Sequence, residues 1–355
     1  MTEIVPAISD AVLDFTYDVL IPLWLDNLAN NLSLIRSSRD ILDLPKKKGE
    51  PCILVGGGPS LDYRKHLDQI QKSGWTHPVL CCDKKLSDCL RHKIVPYVVA
   101  SIDGSPRISG FYSAQIVRKY AESINAMLAV VVHPKVADRV QKNGLNTYWF
   151  TPMTDNPLPL KPGDTVNKKS VAYILHALTG KSMIAGFGNV GAFLWNLAFE
   201  LGCDPLILVG YDLSEQVTDK LHTVYFWPFT HMFMQMKEKY PTQQKAMDAA
   251  ATMHQTEVNP DFTADKDDLP YYKKGEHVQY LVNPVWKKYR DVLAQAIASS
   301  GRHTIQATEN GCLHTGAKVM VATKSGKRTK MEEKFILKCP NFEARTLKEV
   351  LSEYV

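Results

Sequence analysis

Three aspartates each close a short apolar run. Asp83 follows "PVLCC", Asp103 follows "VVASI" and Asp212 follows "LILVGY". Each stands where a buried strand should meet water, and a carboxylate there either caps a turn or faces a ligand. A fourth apolar run, "PCILV", opens into "GGGPSLD", in which Gly56, Gly57, Gly58, Pro59 and Ser60 lead into a polar, helix-like segment. A strand that passes through glycines into a helix presents unpaired N–H groups and the positive end of a helix dipole, and the missing Cβ lets a phosphate approach closely. The competing reading is a tight turn with no ligand. No Lys-Ser/Thr pair follows the turn, which excludes a P-loop, and Leu61 stands where a dinucleotide fingerprint has its third glycine. Acids gathered beside phosphates repel unless a divalent cation lies among them. The pattern therefore suits Mg²⁺ held by Asp83 and Asp103 together with substrate phosphates.

A second glycine turn, "GFGNVG" at Gly186 to Gly191, fits GxGxxG between a strand and a helix, and Asp212 follows at about the spacing of a ribose-binding acid. Taken alone this is a dinucleotide fingerprint. An NAD-dependent oxidoreductase is accordingly a rival reading of a different class.

The elements that must position these residues alternate. "CILVG", "PVLCCD", "YVVASID" and "AMLAVVVHP" are separated by helical patterns, the rhythm of βαβ units and a parallel sheet. Val190, Phe193, Leu194, Leu197, Ala198 and Leu201 mark one face of a helix between the strands Ser182 to Ala185 and Leu206 to Val209. The fold expected is α/β, a Rossmann-like, mostly parallel sheet with helices on both faces. Four segments follow: an N-terminal helical arm (1–48), a nucleotide-binding core (49–215), a Met-rich and charged helical insertion or lid (216–284), and a C-terminal segment (285–355) completing the core with a helix from Val285, a strand "HTIQAT", a loop "ENGCLHTG" and a terminal helix.

Composition sets bounds. Of 355 residues 45% are hydrophobic and 22% charged, ordinary for a globular chain with a substantial core. The net charge of +5 is spread along the chain, so nucleic acid is not an expected partner. No apolar run approaches the roughly 20 residues a membrane span needs, and acids stand where a signal peptide would be basic, so a cytoplasmic protein is expected. Seven cysteines without a CxxC pair read as reduced, buried thiols, not a zinc site.

"ILVGGGPSLD", "CCD", "SIDG" and "GFGNVGAFLWNLAFELGCDPLILVGYDLS", in this order, resemble the MptE-like domain. That domain is shared by archaeal 6-hydroxymethylpterin diphosphokinases and flagellin-glycosylating motility accessory factors, and is similar in fold to a bacterial sialyltransferase family. The resemblance runs from about Trp24 to Ser214 and weakly to "ATENGCLHTG". It implies that Gly56 to Ser60 form the phosphate-side loop and that Gly188, Asn189, Tyr211 and Asp212 lie beside a nucleotide. His222, after Asp212, is the implied general base, with Asp103 as a second catalytic candidate. Glu309 and Asn310 would touch a ribose or base.

Sialyltransferases usually carry Asn at the position of Gly57 and near Asp83 and Asp103. Acids here favour a Mg²⁺-dependent scheme. The favoured reaction is transfer of an acidic sugar from a nucleotide donor to a small-molecule, glycan or protein hydroxyl. ATP-dependent 6-hydroxymethylpterin diphosphokinase is the alternative, followed by the oxidoreductase and by a non-catalytic nucleotide-binding module.

Overall fold

The computed structural model describes residues 20–155, 170–186, 188–216, 257–263, 270–271, 277–282, 284–313, 317–325 and 328–355. The first eight strands are β1 (Arg39–Asp40), β2 (Cys52–Val55), β3 (Val79–Cys82), β4 (Val98–Ser101), β5 (Asn125–Ala129), β6 (Asn146–Met153), β7 (Met183–Ala185) and β8 (Leu206–Val209). A separate antiparallel sheet pairs β9 (Glu215–Gln216), β10 (Glu257–Thr263) and β11 (His277–Val282) in the order β10-β11-β9. Then come β12 (Thr304–Gln306), a hairpin of β13 (Lys318–Ser325) and β14 (Arg328–Phe335), and β15 (Phe342–Ala344).

The main sheet is parallel at every pairing and runs β1-β6-β5-β4-β3-β2-β8-β12-β15, with β7 beside the end of β6. Strands β2, β3, β4 and β8 are buried at every position. That is why they read as unbroken apolar runs rather than as alternating ones: both faces are covered. From β2 the chain steps one way through β3 to β6, then returns to place β8 on the other side of β2, with Val55 opposite Val209. The order therefore reverses between β2 and β8, and open α/β sheets bind ligands outside the carboxyl ends of strands at such a point.

Six helices concern the site: α1 (Ile21–Ser37), α2 (Ser60–Tyr63), α3 (His66–Ser73), α4 (Val190–Leu201), α5 (Pro284–Ser300) and α6 (Leu347–Tyr354). Most of α4 is buried, Phe193 stacks on Phe150 with centroids 4.2 Å apart, and Asn189 caps its start by accepting from Ala192 N at 3.0 Å. Helix α1, in the described part of the expected N-terminal arm, is docked onto the core. Asn27 Nδ2 donates to the carbonyls of Gly104 and Val131, both at 2.9 Å, and Asn31 Nδ2 donates to Val132 O at 2.9 Å.

Of the insertion or lid expected over 216–284, the described residues form the strands β10 and β11, and most of that segment lies outside the described residues. The β13–β14 hairpin was not anticipated. Its register runs from Lys318 opposite Phe335 to Ser325 opposite Arg328, and Val319 is buried while Met320, Met331 and Phe335 are exposed. All seven cysteines are free and buried, as reduced thiols should be. Among the described residues no helix is long and apolar enough to cross a membrane.

Candidate functional site

The glycine turn after β2 is built against the end of β8. Gly56 N donates to Val209 O at 2.8 Å and Gly58 N donates to Gly210 O at 2.9 Å. A Cβ on Gly58 would overlap Asp212 Oδ2, and one on Gly56 would stand 2.5 Å from Gly210 O. These two glycines are required by close approach of backbone to backbone. Gly57 differs: its side is open, with Cys82 Sγ at 3.8 Å and Lys84 Cδ at 4.0 Å from a built Cβ, and its N–H has no partner among the described residues.

Asp212 occupies the position that the sequence reading gave to a phosphate. It is 2% exposed, its Oδ2 accepts from Ser60 Oγ at 2.7 Å, and its Oδ1 accepts from Asn310 Nδ2 at 2.8 Å. Burial pushes its carboxyl above the ordinary range, and the donors from Asn310 and Ser60 pull the other way. The start of α2 thus holds the protein's own anion. Of the turn's N–H groups, those of Gly56 and Gly58 are committed internally, Pro59 has none, Ser60 is buried, and the exposed Gly57 N–H remains for a ligand. With both oxygens engaged under the turn, Asp212 is not placed to grip a ribose, which removes the acid from the dinucleotide fingerprint.

Other residues named from sequence also turn inward. Tyr211 is 3% exposed and donates its hydroxyl to Gly191 O at 2.9 Å, tying the end of β8 to α4. Glu309, at φ +56°, accepts from Leu347 N at 2.9 Å at the start of α6, and its Oε1 lies 3.7 Å from Nε2 of the fully buried His66. Asn310 is fully buried against Asp212. His222 lies outside the described residues.

The open surface is on the β3 and β4 side of the turn. Asp83, 7% exposed at the end of β3, accepts from Ser101 Oγ at 2.6 Å and from Lys84 N at 2.7 Å, and Ser101 in turn shares a hydrogen bond of 2.9 Å with the buried Tyr112 hydroxyl. Burial raises the Asp83 carboxyl to about 6, opposed by those two donors and reinforced by the charge of Asp103. Asp103 is exposed at the end of β4 and accepts from Ser105 N at 2.8 Å. The second glycine turn closes the far side: Gly188, at φ +86°, is open to solvent, and a Cβ there would stand 2.6 Å from Tyr289 Cε1 of α5. Burial raises the Tyr289 phenol, and Asp103 adds to the shift.

At the carboxyl edge of the sheet, where such folds leave a crevice, Gly57 lies beside Lys84, and Asp103 acts on both Asp83 and Tyr289, the residue packed on Gly188. Among the described residues no group of three or more His, Cys, Asp and Glu side chains is gathered for a metal ion. Asp83, held by Ser101 and Lys84 N, and the exposed Asp103 are oxygen ligands of the kind a hard divalent cation takes beside water and phosphate oxygens. Sequence reasoning missed Lys84, Ser101, Tyr112 and Tyr289. The first two sit beside the acids in "CCDKK" and "VVASID", whereas Tyr289 in "VWKKYRDVL" carries no local signal.

A search of curated proteins finds no match. Among solved structures, the MAf glycosyltransferase from Magnetospirillum magneticum AMB-1 is similar at 12% identity and a TM-score of 0.46, over 90% of this chain and 42% of that one. This chain thus spans less than half the length of that protein. The model of the family described as 6-hydroxymethylpterin diphosphokinase MptE-like matches residues 24–218. That span covers more than half of the chain and takes in both glycine turns and all three strand-end aspartates, and the protein belongs to the MptE-like family.

Proposed function

We propose that this protein is a nucleotide-dependent transferase whose donor phosphates lie over Gly57, with Asp83 and Asp103 holding Mg²⁺ beside them. The carrying observation is the single open glycine of a turn otherwise locked to β8, beside Cys82 and Lys84 on either side of Asp83, at the point where the strand order reverses. Bound there, the metal would neutralise charge on the leaving phosphates. The chain's own part is to fix Asp83 through Ser101, to offer the Gly57 N–H, and to set Gly188 and Tyr289 as the opposite wall. The favoured reaction is transfer of an acidic sugar to a hydroxyl acceptor. Diphosphate transfer from ATP to a hydroxymethylpterin is the second reading, favoured by the family's description and by the acid pair, which suits a Mg²⁺–triphosphate donor.

The deciding experiment is a thermal-shift panel of CMP, CDP, UDP, GDP, ATP and NAD, each with Mg²⁺ and with EDTA. A ligand bound only by the folded state stabilises it, by about 2.7 kcal/mol at 100 times its dissociation constant. Stabilisation by a mono- or diphosphate nucleotide that depends on Mg²⁺ is expected. NAD should give no shift, because Asp212 is locked away; stabilisation by NAD alone would return the oxidoreductase reading.

Asp103→Asn tests the metal directly. Two carboxylates beside phosphates repel the ligand until a cation compensates, so the parent should bind its nucleotide better in Mg²⁺ than in EDTA. The amide keeps the shape and removes one charge, so the variant should show little difference between the two buffers by calorimetric titration. Equal parental affinity in both buffers would refute the metal site.

A further inference from the structure

This inference rests on the reading that phosphate lies over Gly57. A single neutral amide is a weak partner for a phosphate, and the start of α2 is already filled by Asp212. Positive charge fixed by the chain has to come from a neighbouring element. The "DKK" segment after β3 supplies two lysines, and the structure uses them differently. Lys85 is turned inward, 7% exposed, with its Nζ 3.6 Å from Asp62 and 3.5 Å from Asp88. Lys84 is exposed and has no ion-pair partner among the described residues. Its aliphatic stem passes the open side of Gly57, with Cδ 4.0 Å from where a Cβ would stand. Lys84 follows Asp83 directly in the chain, and its backbone N–H donates to Asp83 Oδ1 at 2.7 Å.

We propose that Lys84 is a phosphate-binding residue of this site, its ammonium reaching the ligand oxygens that the Gly57 N–H also meets. The stem that walls Gly57 gives the ammonium one side on which to fold, and Asp83, held by Ser101, biases it toward the crevice. The site then selects ligands for phosphate rather than for their sugar or base. A lysine acts as a point charge, so arginine at this position replaces it in part, while an uncharged chain of similar length does not.

The test is calorimetric titration of inorganic pyrophosphate and of CDP into the full chain and its Lys84→Met and Lys84→Arg variants, at low and moderate NaCl. Lys84 is exposed, so both variants should fold as the parent does, which circular dichroism checks. Loss of one charge-assisted contact should weaken both ligands about 10- to 100-fold in Lys84→Met, with a shallower salt dependence, and Lys84→Arg should recover most of the affinity. Parental affinity and salt dependence retained in Lys84→Met would overturn the role of Lys84 alone. A parent that binds neither pyrophosphate nor any nucleotide of the panel would overturn the reading of the site, and this inference with it.

Discussion

Gly58→Ala should cost the fold about 3 kcal/mol or more, while Gly57→Val, one residue earlier, should leave stability nearly unchanged and abolish nucleotide binding. A methyl group on Gly58 overlaps Asp212 Oδ2 and crowds Gly210 O. To make room, the buried carboxylate must leave Ser60 and Asn310, and an overpacked site that also unpairs a buried charge is among the most costly kinds of substitution. At Gly57 a Cβ meets only ordinary contacts with Cys82 and Lys84. The branched side chain should crowd the exposed Gly57 N–H, so affinity should fall about 100-fold or more, equivalent to about 3 kcal/mol. Urea denaturation of both variants and nucleotide titration of Gly57→Val check the pair. Unchanged affinity in folded Gly57→Val would remove the turn from the site, and an unaffected urea midpoint in Gly58→Ala would contradict the packing described here.

Asp83→Asn should stabilise the ligand-free protein at pH 8 and change it little near pH 4. The sign follows from the shift: the carboxyl rises from 3.8 to about 6, so the folded chain holds its proton more tightly than the unfolded chain does. Below pH 4 both states are protonated and the shift has no effect. As pH rises from about 4 through 6 the unfolded state gains by ionising first, and above 6 the fold carries the whole cost of a buried charge, about 3 kcal/mol by linkage. The amide avoids that cost. It can still accept from Lys84 N, and the Ser101 hydroxyl, freed from donating to a carboxylate, can turn to Tyr112. Urea midpoints of parent and variant at pH 8 and pH 5 should therefore converge as pH falls, whereas equal destabilisation of the variant at both would show that Asp83 is a simple structural partner. Mg²⁺ should raise the parent's midpoint at pH 8 and leave that of the variant where it is. A buried, destabilised carboxylate at a strand end is the kind of cost that binding sites retain for function.

The alternation of apolar runs with helical patterns made the parallel sheet legible, because strands covered on both faces read as short unbroken apolar runs. The order of those strands was not legible. Nothing local in "LILVGYD" says that it returns beside "CILVG", and the place where the order reverses is what puts the glycine turn at a ligand-binding edge. Asp83, Asp103 and Asp212 look alike in sequence, each following an apolar run. They separate only in three dimensions: Gly58 lacks the Cβ that would keep Asp212 from sliding under the turn, Ser101 grips Asp83, and Asp103 is left exposed. Glu309 illustrates the same limit, since its left-handed backbone and its bond to Leu347 N depend on where the terminal helix lies. The β13–β14 hairpin escaped because its exposed positions mix Met320, Met331 and Phe335 with Lys318, Lys330 and Glu333, which hides the alternation of a half-buried strand.

The docking of α1 has a consequence for the order in which the molecule assembles. Its three asparagine bonds join residues 77, 104 and 101 positions apart, to carbonyls next to Asp103 and just beyond β5. A helix made first therefore waits for strands made about a hundred residues later, and contacts so distant in sequence form late, after the chain between them has ordered. One of those bonds, from Asn27 to Gly104 O, ties down the loop that carries Asp103. Competence to bind a ligand should consequently lag behind formation of the sheet during refolding, with the slow step set by closure of a long loop rather than by the chemistry of the crevice.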